Sequence, residues 1–162
     1  MNKKNDPASV TDRLRVLCSR REYCSSDIYK KALDAMDGNA SEAGKVLEKL
    51  QEEKYVDDRR YARAYARDKS SIVGWGSVKI RYMLSAKGVA RDVIDEALAE
   101  VDADSADRRF EKLMLAKCRA MKEDANVRMK LIRFAAGRGY GYEQASSMAD
   151  SIIRMNKENE EI

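Results

Sequence analysis

Apolar positions recur along this chain at three- and four-residue steps, the period of a helix with one buried face. After Asp58, the residues Tyr61, Ala62, Tyr65 and Ala66 form one stripe while Arg60, Arg63 and Arg67 occupy another face. After Gly76, Ile80, Met83 and Leu84 point one way, and Lys79, Tyr82 and Ala86 line a different side. The pattern predicts nine helices. Ser26, Ser41, Asp58, Ser77 and Asp92 each precede an amphipathic run, where a short side-chain oxygen can accept from the orphan amides of the first turn. Gly88 and Gly139 stand where a left-handed residue would close a helix. The single proline, Pro7, lies ahead of the first periodic segment, so no later helix is forced to break.

The helices repeat. Sliding the chain on itself by 51 residues aligns Leu33 with Leu84 and Ala135, and Gly88 with Gly139. It also sets Ala43 on Ile94 and Ala145. The fold class expected is all-α: three tandem three-helix, helix-turn-helix-like repeats in an elongated curved array. The boundaries read as a flexible N-terminus over 1–8, repeats over 9–53, 54–103 and 104–156, and an acidic, frayed tail over 157–162. A three-helix unit this short buries only a small core, so stacking on a neighbour is expected to stabilise it.

Charge sharpens the picture. The net charge is +4, but residues 54–91 and 108–142 each carry +7, while 92–107 hold seven acidic side chains and no basic ones. Two basic blocks around an acidic one suggest a polyanion or an acidic protein as partner; solvated helix faces are the plain alternative. Tyr61, Tyr65 and Tyr82 interleave with those cations, as base-stacking residues do. The helical spacing of Tyr61 and Tyr65 assigns them instead to the apolar stripe beside Ala62 and Ala66. The arginines opposite are the better contact candidates.

Catalytic chemistry is hard to place. The chain has no histidine, which removes triads with an imidazole base and imidazole metal ligands. Cys18, Cys24 and Cys118 are odd in number and widely spaced, unlike a disulfide framework or a metal motif. No phosphate-binding glycine loop is present: GRGYG (137–141) has the wrong spacing. Asp57 and Asp58 read as a helix start, not a catalytic pair. The acidic run 95–107 lacks the alternating oxygens and glycine of a calcium loop. No enzyme activity, metal or cofactor is expected. The N-terminal stretch MNKKNDPASV lacks an apolar signal core and no run has the length of a membrane span, so a cytoplasmic protein without membrane attachment is expected.

One block is specific. YVDDRRYARAYARDKSSIVGWGSVKIRYMLSAKGV (55–89) resembles the RecX family, bacterial regulators of the RecA recombinase. The family pattern is an acidic pair, an arginine, an aromatic and an alanine, then a basic helix, a glycine-containing turn, and a basic-aliphatic helix ending in leucine, a spacer and glycine. Asp57, Asp58, Arg59, Tyr61, Ala62, Gly76, Ile80, Leu84 and Gly88 fill those places. The tryptophan-glycine turn resembles the Bacteroidetes-type branch. Looser agreement extends over about residues 10 to 155. DAMDGNAS in the first repeat departs from the usual lysine-glycine-aromatic turn.

The resemblance implies a monomeric, mainly negative modulator of RecA in DNA repair, recombination and the SOS response. It would lie in the groove of the RecA nucleoprotein filament and restrain ATPase, strand exchange and co-protease activity, in some members touching DNA. Combined with the basic blocks, it makes Arg59, Arg60, Arg63, Arg67, Lys69, Lys79, Arg81, Lys87, Arg133 and Arg138 the candidate partner- or DNA-binding residues. The competing reading is a nucleic-acid-binding helical-repeat protein that acts on single or double strands without RecA. A third is a pure protein-interaction scaffold. In Gly74-Trp75-Gly76, Gly74 is expected to end one helix left-handed, Gly76 to leave room before Ser77, and Trp75 to be a mostly buried packing anchor contributing about 4 kcal/mol.

Overall fold

The structure, a computed structural model, describes residues 5–122 and 124–161. Among these it is all-α: α1 Pro7–Cys18, α2 Ser25–Ala35, α3 Ala40–Glu52, α4 Asp58–Asp68, a π-helical turn Lys69–Val73, α5 Ser77–Ala86, α6 Arg91–Ala99, α7 Ala103–Ala120, α8 Val127–Gly137 and α9 Tyr142–Glu160. Pro7 takes the first turn of α1, where its missing N–H costs nothing; the helix thus starts inside the segment expected to be flexible, of which residues 1–4 lie outside the described residues. At the other end α9 continues through the acidic segment to Glu160, where the Asn156 amide donates to the Glu160 carboxylate at 3.1 Å. Residue 162 lies outside the described residues.

The start signals were close, but several fall on the wrong polar residue. Asp6, Asn39 and Asp102 accept from the amides of Ser9, Glu42 and Ser105 and cap α1, α3 and α7. Ser41 and Asp92 lie inside the first turns of α3 and α6. Where two short polar residues are neighbours, the one at which the chain turns becomes the cap, and spacing alone does not choose between them.

Contacts gather into two compact units. One comprises Met1–Ala64 and Leu84–Ala97; the other comprises Tyr65–Met83 and Leu98–Ile162. In the first, α1, α2 and α3 close around Val10, Ile28, Ala32, Val46 and Leu50, each at most 1% exposed. In the second, α7, α8 and α9 close around Phe110, Met114, Leu131, Ala145 and Ile152. Phe110 lies at the centre, its ring stacked on Tyr140 (centroids 4.1 Å) and on Phe134 (5.9 Å).

The repeat is visible in the backbone. The amides of Gly38, Val89 and Tyr140 donate to the carbonyls of Leu33, Leu84 and Ala135 at 2.9, 3.1 and 3.2 Å. These three bonds stand 51 residues apart and close the same helix end three times. The residue inside each closure is left-handed: Asp37 (φ 54°), Gly88 (φ 76°) and Gly139 (φ 91°). The divergent first repeat therefore keeps the turn. It places an aspartate, one of the few side chains that tolerate this region, where the others have glycine.

Candidate partner-binding surface

The acidic pair that opens α4 divides its work between two helices. The Asp57 carboxylate accepts from the amides of Arg59 and Arg60 at 3.0 and 3.1 Å, so it caps its own helix. Asp58, expected to be that cap, instead accepts from the amide of Ser25 at 2.7 Å, at the first residue of α2. Cys24, the residue at the cap position of α2, makes no side-chain cap bond there, so the carboxylate from α4 supplies it. Ser26, also expected to cap, donates instead to the carbonyl of Lys87 at 2.6 Å.

The candidate cations of this unit are anchored on acids of the same unit. Arg59 pairs with Glu96 at 2.5 Å, and Arg60 pairs with Glu22 at 2.5 Å while donating to the carbonyl of Lys54 at 3.0 Å. Lys87 pairs with Asp27 at 2.8 Å. Burial pushes the Asp27 carboxyl up, but bonds from Lys87 and Cys24 outweigh it and hold the acid below its usual range. Arg63 is exposed on α4. The Arg59–Glu96 pair is solvent-exposed, and exposed pairs contribute about 0–1 kcal/mol each; the Glu22 side chain is only 31% exposed, and its second oxygen is buried without a hydrogen-bond partner. A partner's carboxylate or phosphate can replace Glu96 on Arg59 at small cost, whereas releasing Arg60 would leave the part-buried Glu22 carboxylate unpaired.

In the second unit the basic residues converge on the Gly-Trp-Gly joint. The α4 helix widens into the π-helical turn Lys69–Val73 and ends at Gly74 (φ 76°, ψ 34°), left-handed as expected. The last carbonyls of that turn are covered by basic side chains from outside it. Arg138 donates to Val73 at 2.9 Å and Arg109 to Ile72 at 3.2 Å. Lys79 of α5 donates in turn to Gly137, the last residue of α8, at 3.0 Å. Cations at helix C-termini satisfy orphan carbonyls and meet the negative end of the helix dipole.

Trp75 departs from expectation. It is half-buried, not a sealed anchor. Tyr65 meets its ring edge-on at a centroid distance of 6.5 Å, and the ammonium groups of Lys69 and Lys79 stand 4.8 and 4.3 Å from its centroid. The ring therefore gathers two of the candidate cations by cation–π attraction. Tyr61 and Tyr65 are likewise half-buried, flanking Ala62 and Ala66, which are fully buried. A stripe built on alanine brings backbones so near that the larger rings are left at its edges.

The remaining expectations have these places. Ile80 and Leu84 are 1% and 0% exposed, and Gly88 is left-handed. Arg67 pairs with the adjacent Asp68 at 3.0 Å, Arg81 is half-buried on α5, and Arg133 is exposed on α8. Arg138 lies over the Phe134 ring at 4.6 Å, with Lys117 at 4.9 Å. Phe134, Lys117 and Arg109 were not anticipated. Their partners lie in distant helices, and no local spacing signals them.

Beside Trp75, the same unit holds a cavity of about 180 Å³. Ser70, Asp107, Tyr140 and Gln144 face it, with Ile80 and Ala106 as apolar wall. Burial, and then the neighbouring Asp104, push the Asp107 carboxyl above its ordinary range. Burial and Asp107 together raise the Tyr140 phenol to about 12. Asp107 closes the acidic run 95–107, which spans the end of α6, a short connector and the start of α7.

The fold is that of an all-helical repeat protein, and its surface carries exposed basic side chains such as Arg59, Arg63 and Arg133. Residues 57–98 match the family model described as RecX, second three-helix domain. A "Regulatory protein RecX" of Chromohalobacter salexigens is 32% identical over 133 residues, 82% of this chain and 85% of that protein. Another, of Clostridium botulinum strain Eklund 17B, is 36% identical over 113 residues, 67% of this chain and 52% of that protein; the chain spans about half the length of that relative. The crystal structure of a regulatory protein RecX superposes with a TM-score of 0.73 at 25% identity, covering 94% of this chain and 71% of the other. The chain belongs to the RecX family. Among the described residues, no helix is long and apolar enough to cross a membrane.

Proposed function

We propose that this protein is a cytoplasmic, mainly negative modulator of the RecA recombinase. It acts by lying along the groove of the RecA–DNA filament and restraining ATP hydrolysis, strand exchange and co-protease activity. The observation that carries this reading is the RecX match over residues 57–98, whose helices bear Arg59, Arg60, Arg63, Lys69, Lys79 and Arg81. The mechanism is electrostatic and steric. Arg59 exchanges its weak internal ion pair for acidic partner surface or DNA phosphate, and the helical array then hinders the subunit motions that hydrolysis requires. Charges of this kind govern association rate and salt sensitivity more than the final affinity.

The test is a titration of RecA's single-strand-stimulated ATPase with the wild-type chain and with a Arg63→Glu/Lys79→Glu/Arg133→Glu variant. The wild type should inhibit below one molecule per RecA, and the variant should need at least tenfold more. No inhibition at large excess overturns the proposal. Salt-steep binding to bare single strands without any RecA co-sedimentation would favour the nucleic-acid reading instead.

A further inference from the structure

We infer that the cavity beside Trp75 is a receptor for one arginine side chain of a partner protein. The inference goes beyond the RecA reading and does not depend on it. Its first support is the lining. Ser70 is 4% exposed and Tyr140 7% exposed, and both line the cavity. The half-buried Asp107 and the exposed Gln144 complete its polar side. All four side chains can accept hydrogen bonds, which suits a ligand rich in donors.

The second support is charge. Burial pushes the Asp107 carboxyl up, and the exposed Asp104, one turn earlier on α7 and outside the cavity wall, adds to it. A cation entering the cavity offsets both effects. The Tyr140 phenol, held near 12, stays protonated at neutral pH and offers its oxygen lone pairs. A guanidinium fits this set better than an ammonium. Its planar fork carries five donors, enough to engage the two Asp107 oxygens together with hydroxyls on either side. The Ile80 and Ala106 walls cover its aliphatic stem. At about 180 Å³ the space suits a single side chain, whereas drug-sized ligands occupy roughly 300 Å³ or more.

Trp75 is the only tryptophan and forms part of the cavity wall, so its emission reports occupancy. The full-length chain is titrated at constant ionic strength with N-acetyl-arginine amide, N-acetyl-lysine amide and deoxynucleoside monophosphates. The expected result is a saturable change with the arginine amide, at least tenfold weaker in Asp107→Asn and at least threefold weaker in Ser70→Ala. The lysine amide should require at least threefold higher concentration. Cooperative unfolding at a temperature no lower than that of the wild type certifies that a variant is folded, and either variant alone suffices for the comparison. The inference is overturned by a linear response to the arginine amide, by an affinity indifferent to both substitutions, by lysine and arginine amides of equal strength, or by tighter binding of a nucleotide.

Discussion

Gly76 and Gly139 cross with their backbones in direct contact. A Cβ on Gly76 would stand 2.5 Å from the Gly139 carbonyl oxygen, and one on Gly139 would stand 2.3 Å from the Lys79 Cβ. The Gly76 amide donates to the Arg138 carbonyl at 2.7 Å, and the Val78 amide to the Gly139 carbonyl at 3.2 Å. The turn before α5 and the turn after α8 are thus joined through backbone, and the two glycines are what permit the approach. Both are required by sterics, and Gly139 also by its positive φ.

That crossing predicts an unequal glycine series. Gly139→Ala combines left-handed strain with overpacking and should destabilise by about 2–4 kcal/mol. Gly76→Ala should cost about 1–3 kcal/mol from overpacking alone. Gly88→Ala meets open space at the equivalent repeat position and should cost only about 1 kcal/mol of backbone strain. Thermal unfolding of the three variants checks the order; a Gly88 variant as damaged as the Gly139 variant contradicts it.

The Asp58–Ser25 bond makes a local prediction at a distance. Asp58→Ala leaves the start of α2 without its acceptor and should cost about 1–2 kcal/mol. Amide exchange should speed up at Ser25 in particular. Asp57→Ala should cost about 1 kcal/mol and act at Arg59 and Arg60 instead. Hydrogen exchange read residue by residue separates the two, since a cap acts only on the amides it accepts from.

Acid should loosen the first unit. Burial acts to raise the Asp27 carboxyl, but its partners Lys87 and Cys24 depress it below the usual 3.8. A carboxylate with a depressed folded-state value contributes stability above its unfolded value, and that stability is lost as pH falls through the folded one. The Asp27–Lys87 contribution is therefore intact at neutral pH and disappears below about pH 4. Asp27→Asn should lower the unfolding temperature at pH 7 and converge with the wild type near pH 2. Asp107 has the opposite sign: burial first, and Asp104 next, raise it, so its charged form opposes folding. Asp107→Asn should raise the unfolding temperature at pH 7 and lose that advantage in acid.

Trp75 should matter less to stability than a sealed core ring. Complete burial followed by truncation typically costs about 3–5 kcal/mol; this half-buried ring should cost about 2 kcal/mol on substitution by alanine. Trp75→Phe should recover most of it, because phenylalanine keeps a ring for Tyr65 and the two lysines. Calorimetry on both variants is the check. A loss above about 4 kcal/mol for the alanine variant would restore the buried-anchor reading.

The helices, their register and the threefold repeat were legible before any coordinates, for a local reason. A helix buries one face of a 3.6-residue period, and its end closes by bonds that span only five residues. Leu33, Leu84 and Ala135 therefore carry the repeat in their spacing alone. The basic character of the surface was legible too, because charge is counted without knowing direction. Tertiary structure alone decided which acid answers which base and which polar residue caps which helix. Asp27 and Lys87 are 60 residues apart, and Asp58 and Ser25 are 33. Pairing over such distances depends on how helices pack, not on any period within them. The same holds for the cavity: Ser70, Asp107 and Tyr140 meet because two turns cross at Gly76 and Gly139. A glycine in the sequence says only that a close approach is allowed, not which chain segment makes it.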